Sequence, residues 1–186
     1  EIGFELVGIA PAVRAGTWEK LDEWLARGFS GEMKYIERRK DAYQHPEHVL
    51  PQVRSVVMLG LVYGSGGASR RARAEASKVD RPDHVSPAPR IARYAQGTRD
   101  YHDVIRDKLK QLADSLHSLQ PGCRTRGVVD TAPLLERDYA RLAGLGWFGK
   151  NTLLINRRLG SELFLAALLT DCDLEPDAPH ETQHCG

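Results

Sequence analysis

The stretch VVDTAPLLERDYARLAGLGWFGKN, residues 128–151, decides how the fold is read. It opens as the end of an apolar run, breaks at Asp130, resumes with helical spacing and closes on a glycine-rich turn at Lys150 and Asn151. Thr131 and Pro133 are helix-start signals, because a hydroxyl accepts a free first-turn N–H and proline's missing N–H costs nothing there. Leu134, Leu135, Tyr139, Leu142 and Ala143 then recur along one helix face. Strand, acid and helix in that order put Asp130 at a strand end beside the positive pole of a helix. A capping role and a chemical role are both open to it there. Gly144, Gly146 and Gly149 surround Trp147 and Phe148, and such glycines let backbone turn sharply or approach something large and flat.

Two nucleotide motifs are excluded by context. Residues 144–149 match G-x-G-x-x-G, but that fingerprint follows a strand and opens a helix, whereas here it follows a helix. Residues 144–150 also match most of a P-loop, yet Asn151 stands where the magnesium-binding hydroxyl belongs and no helix is predicted next.

Outward from this stretch, residues 152–156 and 162–170 read as two strands paired around a turn at 157–161. Upstream, residues 124–129 read as a strand, preceded by a helix over 98–119 that Pro121 and Gly122 stop. Its apolar face is Tyr101, Val104, Ile105, Leu109, Leu112, Leu116 and Leu119. Residues 91–95 read as extended. SVVMLGLVY, residues 55–63, is apolar on both faces and suits a strand covered by helices on each side. Residues 5–10 hold a further short apolar run. Thr17 is placed to cap a helix with Trp18, Leu21, Trp24 and Leu25 on its inner face, Gly28 ends it, and a second short helix covers 32–39. Strands and helices mixed in this way predict an α+β fold, an α/β sandwich rather than a barrel.

A chain of 186 residues with net charge +1 and 27% charged residues has the composition of an ordinary globular domain, long enough to bury roughly 70% of its unfolded surface. No apolar run approaches the ~20 residues that span a bilayer, and no signal peptide is visible. Cys123, Cys172 and Cys185 are an odd set, which points to a reducing compartment, the cytoplasm, rather than a disulfide framework. Residues 64–99 carry eight Lys or Arg against Glu75, Asp80 and Asp83. A loop of that length and charge suits a phosphate-bearing partner or a solvated surface. The chain starts at Glu1 without methionine and stops at Cys185-Gly186 inside a polar stretch, so it is expected to be cut. His180, His184 and Cys185 do not by themselves complete a tetrahedral zinc site.

ARYAQGTRDYH (residues 92–102), VVDTAPLLER (128–137) and AGLGWFGKNTLLIN (143–156) together resemble the cobalamin-dependent epoxyqueuosine reductases. The resemblance extends from GIAPA near the start to HCG at the end. It implies a nitroreductase-like cobalamin-binding domain, with a central mixed sheet flanked by helices, over residues 1–175. It also implies the start of a ferredoxin-like module with two 4Fe-4S clusters over 176–186. Cys185 matches the first ligand of the family's cluster motif, whose other thiolates lie beyond this sequence. Cys123 and Cys172 match no ligand position and are read as packing residues.

The family's reaction removes the epoxide oxygen of epoxyqueuosine in the tRNA anticodon, giving queuosine and water. The resemblance makes low-valent cobalamin the source of electrons and Asp130 the general acid for the oxygen released on ring opening. For Asp130 to arrive protonated, burial must raise its pKa more than a helix terminus lowers it. By the same carry-over Arg93 and Tyr94 contact cofactor or substrate. Arg137, at i+7 from Asp130, holds a propionamide or a tRNA phosphate, or forms a surface ion pair. Lys150, Asn151 and Leu154 meet the corrin amides, and the pocket is drawn from residues 53–165. His102, His180 and His184 are the histidines available to cobalt, although family precedent favours none. The expected partners are tRNA and an unspecified electron donor, with no membrane, and the chain is expected to be a monomer. Two alternatives stand beside this: a reductive dehalogenase-like cobalamin or flavin enzyme of the same fold, and a non-catalytic RNA-binding module using the basic loop.

Overall fold

The computed structural model describes residues 2–63, 91–130, 132–182 and 184; the basic stretch 64–90, Thr131 and Cys185 lie outside it. Four strands form one sheet in the order β1 (Leu6–Pro11), β2 (Ser55–Val62), β6 (Leu163–Thr170), β3 (Thr125–Val129). Helices α1 (Trp18–Ala26), α2 (Lys34–Arg38), α3 (Lys40–Gln44), α4 (Tyr101–Leu119) and α5 (Glu136–Leu142) surround it. Strands β4 (Trp147–Phe148) and β5 (Leu154–Ile155) pair as a separate ribbon. None of the described helices is long and apolar enough to cross a membrane.

The α+β expectation is met, and the sandwich follows from the period-two pattern of the central strands. In β2, Val56 and Met58 face a core with Trp18, Tyr139 and Leu145, while Val57 and Leu59 face Ile105 and Leu109 of α4. The neighbouring β6 repeats this: Ala167 and Leu169 join the first core, Ala166 and Leu168 the second. A strand buried on both faces must be apolar along its length, as 56–60 and 163–169 are, and the buried Ser55 hydroxyl at the strand start is satisfied by the Cys172 carbonyl and the Leu174 N–H. Each large apolar side chain so buried contributes about 1.5–3 kcal/mol.

Several local readings are corrected. The sheet is antiparallel throughout rather than mixed, because β6 returns through the middle and pairs with β2 on one side and β3 on the other. Residues 162–170 therefore do not pair with 152–156. Their two-sided apolarity makes them the central strand, and Leu154–Ile155 turns instead to Trp147–Phe148. The predicted turn survives as a bridge between Asn156 and Gly160. Residues 91–95 are not extended: Arg93–Ala95 is a 3-10 turn. Helix α4 starts at Tyr101, where the Asp100 carboxylate accepts the His102 N–H at 2.9 Å. The short helix expected over 32–39 is present as α2, and Arg39 separates it from a further turn, α3. Thr17 does not cap α1 with its side chain. Its N–H and hydroxyl both donate to the buried Asp138 of α5, each at 2.8 Å.

Beyond the last strand, residues 177–180 lie back on the domain. Ile9 N–H donates to Asp177 Oδ2 at 2.7 Å, Asp177 N–H donates to the Ile9 carbonyl at 2.9 Å, and His180 N–H donates to the Arg141 carbonyl at 2.9 Å. This covers the free edge of β1, a row of backbone groups that otherwise templates self-association.

Candidate active site

Asp130 follows β3 directly, and its backbone takes φ +41°, the left-handed region that a non-glycine residue enters at a cost. Helix α5 begins six residues later, at Glu136, after Leu134 has turned into the core. The start of α5 reaches Asp130 through the side chain of its first residue. What holds the turn is a side chain: Glu136 Oε1 accepts the Asp130 N–H at 2.8 Å.

The Asp130 carboxylate accepts the Tyr101 hydroxyl at Oδ2 and faces His102 Nε2 at 3.5 Å. Both partners come from the first turn of α4. The Tyr101 ring stacks on Phe164 of β6 at 4.2 Å and on His102 at 4.0 Å, so packing fixes the phenol that points at the acid. Burial, then the Asp130 hydrogen bond, pushes the Tyr101 pKa far above its usual value. Its hydroxyl stays a donor at any neutral pH. Burial is also the main reason that Glu136 is raised to about 7; the nearby Asp130 charge adds to the rise, while the Asp130 N–H and Arg137 oppose it.

Tyr101, Asp130, Glu136, Arg137 and Leu154 line a cavity of about 210 Å³. Glu136 and Arg137 also line a second of about 690 Å³, walled by Leu21, Trp24, Leu134, Leu135 and Phe148. Apolar walls with a few convergent polar groups are what a large organic ligand requires. Arg137 reaches this place from α5, not as an i+7 neighbour of Asp130 on one helix, and its guanidinium donates to the Thr152 carbonyl.

The other expected residues divide. Leu154 is buried in the wall. Arg93 is pinned by Glu162 through contacts of 3.0 and 2.7 Å. Half-exposed Tyr94 sits edge-on to Tyr63 and Tyr101, both at 6.4 Å, leading toward Asp130. Lys150 and Asn151 are exposed, outside the walls of either cavity. The glycines near Trp147 are taken up by the chain itself: a Cβ on Gly146 would meet the Ile155 carbonyl oxygen at 2.2 Å, and Gly144, at φ +72°, lies against the Ala178 carbonyl. His180 and His184 pack against the Trp147 ring, at 5.2 and 4.7 Å. Cys172 is buried and Cys123 half-buried, both as free thiols. Among the described residues no group of three or more His, Cys, Asp or Glu is placed to hold a metal.

Tyr101 and Glu136 were missed as site residues in the sequence. Tyr101 counted as helix face and Glu136 as first-turn acid; the signal lay in their sitting one residue from His102 and Arg137, which the reading had already singled out.

Residues 44–131 match the family described as "Epoxyqueuosine reductase QueG, DUF1730". In sequence and fold this α+β domain is similar to part of a group of larger reductases. The relatives are epoxyqueuosine reductases. That of Gloeobacter violaceus is 43% identical, covering 100% of this chain and 53% of its own length, and that of Escherichia coli is 37% identical, covering 100% and 46%. A crystal structure of epoxyqueuosine reductase with an epoxyqueuosine-modified tRNA stem loop superposes at TM-score 0.73 with 30% identity, over 97% of this chain and 45% of that one. The Bacillus subtilis enzyme, described with its catalytic aspartate loop swung out of the active site, superposes at 0.70 with 26% identity, over 98% and 45%. The chain is thus homologous along its whole length to the epoxyqueuosine reductases and spans about half the length of the relatives it matches.

Proposed function

We propose that this chain forms the cobalamin-binding, proton-delivering part of an epoxyqueuosine reductase acting on tRNA in the cytoplasm. The observation that carries the reading is the cavity pair on which Asp130, Tyr101, Glu136 and Arg137 converge. Its donor set fits cobalamin: apolar walls suit the corrin face, and Arg137 with the Thr152 backbone suits its amide rim. Leu154 and Phe148 would lie against the ring. When bound, cobalamin supplies the two electrons that no side chain can.

The protein's own share is the protons. Opening the epoxide leaves an alkoxide, which departs as water only when protonated, so the reaction consumes two protons. Asp130, exposed at the cavity mouth and fixed by Tyr101, is the general acid. Glu136 holds its proton up to about pH 7 in the same wall and keeps the Asp130 turn in place. The loop's excursion in the Bacillus subtilis relative agrees with a turn held by few bonds. Cys185 as first ligand of a 4Fe-4S cluster, the external electron donor and the monomeric state belong to the same proposal.

The test is a visible-absorption titration of the purified chain with cobalamin, repeated with Asp130→Ala. Saturable spectral change, retained in the variant, supports both the pocket and the role of Asp130 in chemistry rather than folding. A folded chain that takes up no cobalamin, alone or within the longer protein, overturns the reading.

A further inference from the structure

Behind the Asp130 turn lies a groove that the reductase chemistry does not use. Its volume is about 470 Å³, and Arg39, Arg106, Lys110 and Arg126 line it. These four come from three distant stretches: the α2–α3 junction, one face of α4 at i and i+4, and β3. All four are exposed. Among the described residues Arg39, Lys110 and Arg126 have no ion-pair partner, and Arg106 pairs with the exposed Asp103 at 3.1 Å and lies near the exposed Asp100. Such an exposed pair neutralises little. Among the described residues no carboxylate lines the groove. Like charges gathered without counter-charge repel one another, and a polyanion laid across them removes that penalty.

The groove's shape narrows the polyanion. Its floor is Leu109, Gly127 and Leu168, and among the described residues no aromatic ring lines it on which a base could stack, so it offers contacts to backbone phosphate rather than to bases. It begins at Val129 and Ala132, on either side of Asp130 in sequence. It then runs away from the acid: Arg126 lies ~13 Å back along β3, and Lys110 is ~13 Å beyond Tyr101 along α4.

We propose that this groove is a docking site for the sugar-phosphate backbone of RNA, holding the strand whose modified base enters the Asp130 cavity. The assignment of the strand to substrate tRNA rests on the reductase reading; the phosphate chemistry does not. It differs from the basic loop singled out in the sequence, because its cations are neighbours only after folding.

The experiment is fluorescence anisotropy of a labelled, unmodified anticodon stem-loop RNA between 50 and 200 mM salt, in this chain and in the longer protein. Arg39→Gln, Lys110→Gln and Arg126→Gln are combined in one variant. The control removes equal charge at Arg27, Lys34 and Arg157, and circular dichroism melting shows that both remain folded. The groove variant is expected to bind more weakly, with the slope of log K against log salt shallower by about 2, from ~0.7 per lost phosphate contact. The control keeps nearly the parent slope. Equal affinity and slope in the two variants overturns the proposal. So does complete competition by millimolar inorganic phosphate, which would mark a simple anion site. An effect in the chain that vanishes in the longer protein overturns it too, since another part of the protein would then fill the groove. Cobalamin uptake, measured in parallel, reports on the reductase reading separately: its loss in the parent chain sinks that reading and leaves this one standing, while its loss only in the groove variant assigns the groove to the cofactor and sinks this one.

Discussion

Asp130 and Glu136 divide the work of one turn. The first presents a carboxyl to the cavity; the second holds the backbone of the first. Asp130→Asn keeps the shape and the Tyr101 contact but has no acid proton to give. It is expected to retain cobalamin uptake and to lose about 10²–10⁴ in turnover of epoxyqueuosine RNA by the intact enzyme; turnover within threefold of the parent would remove Asp130 from the chemistry. For Glu136 the sign of the pH effect follows from its pKa, raised from 4.5 to about 7 on folding. The folded state holds this proton more tightly than the unfolded state. Its contribution to stability is therefore complete below about pH 4.5 and is lost as pH rises through about 7. Glu136→Gln cannot ionise and keeps an acceptor for the Asp130 N–H. Its denaturation curves should change less between pH 4.5 and 7.5, the difference from the parent being on the order of 1–3 kcal/mol. Parallel pH profiles for the two proteins would contradict the placement of Glu136.

At the scale of elements, the β4–β5 ribbon shows how backbone approach sets sequence. Gly146 sits against the Ile155 carbonyl, and the Asn156 side-chain amide donates to the Leu145 carbonyl at 2.7 Å. Gly146→Ala must force Ile155 and Asn156 away from the chain entering β4 and so open the ribbon; a loss of several degrees in melting temperature is expected, along with weakened cobalamin uptake because Phe148 and Leu154 wall the cavities. An unchanged melt would show that the ribbon yields freely. These elements also mark where sequence reading stops. The two-sided apolarity of 55–62 and the helical face of 101–119 were legible, since each pattern reports its own burial. The partner of 163–170 was not. Local spacing favours the nearest strand, whereas the observed pairing with β2 and β3 is set by which apolar faces fill both cores.

At the scale of the whole molecule, the two cores share one sheet, and the chain after β6 returns to cover its β1 edge. Ending the chain after residue 175 removes the Asp177 pair of bonds and the His180 ring from Trp147. The shortened protein is expected to melt lower and to self-associate on size-exclusion chromatography as the edge is exposed. A monodisperse product with the parent's melting temperature would show that the edge needs no cover.

The sequence by itself determined the class of fold, the two-faced central strand, the long helix and the acid that ends β3, because periodicity and motif are properties of contiguous residues. The three motifs named the relatives for the same reason. Only the tertiary structure decided that the sheet is antiparallel, that the Glu136 side chain holds the Asp130 backbone, and that Tyr101 donates to the Asp130 carboxylate. It alone brought Arg39, Lys110 and Arg126 to one groove. Those are relations between residues far apart in the chain, fixed by burying both faces of one sheet, and no local spacing encodes them.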